Sequence, residues 1–134
     1  MLERLIATID AEAQAQGVSD EKFVRQQRIL DELAPRMWRS LRAALKAEAE
    51  KYPKHFTFEV QPDIQVVIRG ASRRVLETEY LSESKSVIFR CGEVEGERLI
   101  RLDSQSRAVI CDEEGKPYPS VEFVAERLLA LILQ

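Results

Sequence analysis

Hydrophobic positions in the first fifty residues recur at helical intervals, and those in the next sixty alternate. In "MLERLIATIDAEAQAQG", Leu2, Leu5, Ile6, Ile9 and Ala13 keep helical spacing and the run closes on Gly17, which suits a helix C-terminus. A first short helix is predicted there. Ser19 or Asp20 then offers an N-cap, and the early carboxylates Asp20 and Glu21 favour the positive end of a second, longer helix reaching Tyr52. On a wheel of about 100° per residue, Phe23, Leu30, Leu33, Ala34, Met37, Trp38, Leu41, Ala44 and Leu45 share one arc about 140° wide. The arc keeps its phase across Pro35, which predicts one helix kinked at the proline or two nearly coaxial helices. At about 1.5 Å per residue this segment reaches roughly 45 Å, longer than a domain of this size is wide. Part of it must overhang, bend or meet another chain.

Tyr52 and Pro53 end the helical pattern, and "HFTFEV" opens the period-two signature of a strand. "IQVVIR", "RRVLETEYL", "SVIFRC", "RLIRLD" and "AVICD" follow, separated by Pro62 with Asp63, Gly70, "SESK", "GEVEG" and "SQS". Connections this short hold no crossover helix, so an antiparallel meander of about six strands is predicted. Phe56, Phe58, Val60, Ile64, Val66 and Ile68 point inward on this reading. Thr57, Glu59, Gln61, Gln65, Val67 and Arg69 then face outward, with Glu77, Glu79, Arg90 and Arg101 on the same polar surface.

Ser120 is a plausible N-cap for a closing helix from Val121 to about Leu133. Its residues Leu128, Leu129, Ala130, Leu131, Ile132 and Leu133 advance about 100° each and so cover the whole circumference. Such a helix needs enclosure from at least two directions. Either the sheet and the long helix supply both within one chain, or one side completes a contact with a second copy. The expected fold is α+β: residues 1–52 a helical arm, 53–112 the sheet and 120–133 a helix packed on it, within a single domain spanning 1–134.

Composition adds limits. The 134 residues are 45% hydrophobic and 32% charged, as in an ordinary folded domain. No run approaches the roughly 20 apolar residues of a membrane span, and Glu3, Arg4 and Asp10 interrupt what would be a signal peptide's apolar stretch. A cytoplasmic protein without a membrane partner is expected. Cys91 and Cys111 each close a strand-like run and read as buried thiols in a reducing compartment. A net charge of −3 gives no general attraction to polyanions, so nucleic acid is a disfavoured partner.

Candidate chemistry is sparse. Arg25, Arg28, Arg36, Arg39, Arg42 and Lys46 lie within about 120° of one another opposite the apolar arc, a row able to track phosphates. Glu21, Glu32 and Glu50 lie within the row at ion-pairing spacings, the pattern of a solvated face. Cys111, Asp112, Glu113 and Glu114 gather in "VICDEEGKPYP", but the one histidine, His55, is remote in sequence and no C-x-x-C spacing occurs. No phosphate-cradling glycine loop or Ser, His and Asp set is present, and no cofactor is expected.

The order helix, antiparallel sheet, closing helix resembles the frataxin arrangement, and "VICDEEG" resembles that family's last strand and turn. The resemblance implies iron binding by an acid-rich first helix, whereas this chain has Arg28, Arg36 and Arg39 on the matching face. Small acidic secretion chaperones are similar in size and dimeric habit, but interrupt the sheet with a helix. Both likenesses cover topology alone. The expected function is a non-catalytic binding or assembly module, pairing with itself or another protein through Trp38, Leu41, Leu128, Leu129, Leu131, Ile132 and Leu133. The alternatives are a small-molecule or enzymatic pocket near Cys91 and Cys111, and anion binding by the arginine row.

Overall fold

The computed structural model describes residues 2–60, 65–70 and 74–134, with side chains described except at 10–19, 60, 65–67, 69 and 70. One helix, α1, runs from Leu2 to Glu50 and spans 49 residues. The expected stop at Gly17 and restart at Ser19 or Asp20 are therefore corrected to a single element. Glycine inside a helix costs only about 1 kcal/mol relative to alanine, whereas breaking the ladder there would expose amides and carbonyls on both sides of the break. Pro35 also lies inside α1, where it has no N–H to offer the carbonyl of Asp31.

Strands β1 (Phe56–Val60), β2 (Gln65–Gly70), β3 (Val75–Leu81), β4 (Ser86–Cys91), β5 (Val94–Leu102) and β6 (Ala108–Cys111) pair antiparallel in chain order. The α+β class and the antiparallel sheet agree with the alternation in the sequence. Pro62 with Asp63, and residues 71–73, lie outside the described residues, as do the side chains of Val60, Gln61, Ile64, Gln65, Val66, Val67 and Arg69.

The register sets Leu76 beside Cys91, Thr78 beside Phe89 and Tyr80 beside Val87, and all six are buried. Phe56, Ile68, Ile100 and Ile110 extend this inner face. Helix α2 (Val121–Leu133) begins at the expected cap, where the Ser120 hydroxyl accepts the Phe123 N–H at 3.1 Å. Both helices join the inner face in one core, α1 meeting β1, β5 and β6, and α2 meeting β2, β3 and α1. From α1 the core takes Leu30, Ala34, Trp38, Leu41, Leu45 and Ala49, an i, i+4 and i+3 stripe.

α2 is thus enclosed within one chain. Val124, Ala125, Leu128, Leu129 and Ile132 are buried, Ala130 and Leu131 are half-buried, and Leu133 is exposed. Arg74 donates to the Leu131 carbonyl at 3.4 Å, a cation at the negative end of the helix.

Candidate interaction surface

The body covers α1 only from Leu30 onward. From Leu2 to Arg28 every described side chain is exposed, including Leu2 at 75%, Ile9 at 63% and Phe23 at 62% of their full accessible area. Leu5, Ile6 and Val24 are exposed as well. At about 100° per residue these six fall on the same arc, about 120° wide, as the buried stripe from Leu30 to Ala49. Leu2, Leu5, Ile6 and Ile9, and Phe23 with Val24, thus share the phase of the core stripe, and of the described positions on this arc only those from Leu30 onward have a cover. The arm that carries the uncovered part is about 42 Å long at 1.5 Å per residue. Asp20 and Gln27 interrupt the stripe with polar groups, both exposed.

The stem of the arm is anchored. Asp31 pairs with Lys85 at 3.2 Å, fixing α1 to the β3–β4 turn. Lys85 also donates to the Ser82 carbonyl, and the Arg101 guanidinium donates to the carbonyls of Ser84, Lys85 and Ile100 at 3.4, 3.3 and 2.7 Å. Arg101 thus braces this turn, a role its place in an alternating strand did not disclose.

Of the expected contact residues, Trp38, Leu41, Leu128, Leu129 and Ile132 are buried within the single chain. They belong to the core of the chain. Leu131 and Leu133 keep accessible area. The apolar residues that sequence reasoning left out of the contact surface are Leu2, Leu5, Ile6, Ile9, Phe23 and Val24. Their signal was the shared phase with the core stripe, visible once α1 is one helix.

The arginine row lies on the solvent side. Arg25, Arg28, Arg36, Arg39 and Lys46 are exposed and Arg42 is half-buried, while Arg36 pairs with Glu32 at 3.3 Å, one helical turn away.

Chemistry at "VICDEEGKPYP" is absorbed by the turn itself. Asp112 Oδ1 accepts the N–H groups of Glu114 and Lys116, both at 2.9 Å, and Gly115 takes φ 87° to close the loop. β6 ends opposite Leu99, and the pair two residues on in that register would set Glu113 against Glu97. There the Glu113 carboxylate, in place of a strand carbonyl, accepts the Glu97 N–H at 3.1 Å. Cys111 is buried, and burial pushes its thiol up. The four residues are brought together without a shared vacant centre.

Two of the concavities on the body differ in what lines them. One of about 620 Å³ lies on the outer sheet face between Glu77, Glu79, Arg90, Glu95, Glu97 and Glu113, with Arg90 paired to Glu95 at 3.4 Å. The other, about 420 Å³, lies between the end of α1 and α2, where His55, Glu48 and Glu126 edge Tyr52, Leu129 and Leu133. Neither includes Cys91 or Cys111. Among the described residues, no group of three or more His, Cys, Asp or Glu has a geometry fit for a metal ion. No described helix is long and apolar enough to cross a membrane.

Comparison with models of known protein families, with curated proteins and with solved structures found no match in any of the three. The functional reading therefore rests on the geometry of the arm.

Proposed function

We propose that this chain is a non-catalytic assembly module that forms a homodimer through the uncovered part of the α1 stripe. The observation that carries the reading is the exposure of Leu2, Leu5, Ile6, Ile9, Phe23 and Val24 on the same arc as the core. Leu2, Leu5, Ile6 and Ile9, and farther along the same face Phe23 and Val24, expose large apolar side chains of the kind soluble proteins reserve for partners. Full burial of each is worth about 1.5–3 kcal/mol, so two arms at half that burial contribute about 9–18 kcal/mol. Association costs of roughly 4–15 kcal/mol leave a surplus over much of that range. The buried thiols Cys91 and Cys111 suit a reducing cytoplasm, where they stay unpaired.

The double substitution Leu5→Glu with Ile9→Glu places charge in the stripe without touching the core. Sedimentation should show the native chain at twice 15.4 kDa and the variant at 15.4 kDa, with the same thermal unfolding of the body. A native chain that stays at the single-chain mass at high concentration defeats the proposal.

A further inference from the structure

The stripe and the body lie on the same side of α1, and this restricts how a second arm can cover the stripe. We infer that two copies pair their α1 arms antiparallel, with the amino-terminal tip of each arm ending against the stem of the other. The inference rests on the homodimer reading and adds its orientation and register.

Steric exclusion supplies the argument. From Leu30 to Ala49 the stripe is occupied by the chain's own sheet and α2. In a parallel pair, a second α1 lying on the first stripe would continue past Leu30 into the space that this body fills, and the first α1 would meet the second body in the same way. An antiparallel partner has no such continuation. It enters over the tip of the first arm and comes to its own residue 2 where the first body begins. The register that does this sets Leu2 opposite the partner's Leu30 and Ile9 opposite the partner's Phe23, and is centred on residue 16.

Disulfide trapping tests the orientation in the full chain. Ile9→Cys and Phe23→Cys alter exposed positions, so folding is not at stake, and the buried native thiols stay out of reach. Under mild oxidation, a mixture of the two variants should give the cross-linked heterodimer, and each variant alone should stay unlinked. Cross-linking of Ile9→Cys with itself overturns the antiparallel arrangement while leaving the homodimer reading intact. A native chain at the single-chain mass overturns both.

Discussion

Trp38 of α1 stacks on Tyr80 of β3 with ring centroids 6.2 Å apart and planes inclined by 12°. Both rings are buried, near the level where α1 leaves the body, and the contact fixes the base of the arm to the centre of the sheet. Trp38→Ala should cost about 3–5 kcal/mol, the range for removing a large aromatic from a core. The Tyr80 hydroxyl is buried with no hydrogen-bond partner among the described residues, and burial raises its pKa. Tyr80→Phe should therefore leave stability unchanged or raise it, because it removes an unsatisfied polar group and keeps the ring. Denaturant unfolding of the two variants checks the contrast; a large loss in Tyr80→Phe would show that the hydroxyl is satisfied.

Two hairpin turns share one construction. Asp103 Oδ1 accepts the N–H groups of Gln105 and Arg107, as Asp112 Oδ1 accepts those of Glu114 and Lys116. The fourth residue of each turn has positive φ: Ser106 at 57° and Gly115 at 87°. Serine bears a strain there that glycine does not, so Ser106→Gly should stabilise or be neutral, and Gly115→Ala should destabilise by about 1 kcal/mol. Thermal unfolding should show a lower midpoint for Gly115→Ala and no lowering for Ser106→Gly, and equal losses in both would remove the argument.

Stability should depend on Asp103 at acid pH. The Arg107 N–H, foremost, holds its carboxyl below the ordinary range against a smaller desolvation, with help from the Gln105 N–H and the Arg107 side chain. A carboxyl whose folded pKa lies below its unfolded value of about 3.9 stabilises fully above that value and loses the contribution as pH falls through the folded pKa. Asp103→Asn should lower stability at neutral pH and flatten its decline below about pH 4. Parallel curves for the two proteins across that window would contradict the assignment.

Gly96 is a site of close approach. A Cβ there would meet Phe89 Cζ at 2.7 Å and Glu113 Oε1 at 3.0 Å. Phe89 is held by the core on one side and by the Arg98 guanidinium 4.7 Å from its ring centre. Gly96→Ala should destabilise by about 1–3 kcal/mol through overpacking, measured by chemical unfolding. An unchanged midpoint would show that Phe89 has room to move.

The thiols of Cys91 and Cys111 are buried, and burial holds both above their ordinary range. Alkylation should be slow in the native state and rapid on unfolding. Prompt labelling of either thiol in the folded protein would favour an accessible pocket beside it.

By itself, the amino-acid sequence determined the α+β class, the alternating strands, the Ser120 cap and the phase of the apolar stripe, because each follows from spacing within a few residues. Phase says which side of a helix avoids water and is silent about what lies against it. Leu30 and Phe23 were alike on the wheel, yet one is in the core and the other faces solvent. The same limit holds for Trp38, Leu41 and Leu128, whose burial within the chain spacing alone does not announce. The tertiary structure alone decided that α1 crosses Gly17 without a break and that α2 is enclosed within one chain. It also decided where along α1 the body ends, since those outcomes depend on contacts between residues far apart in sequence.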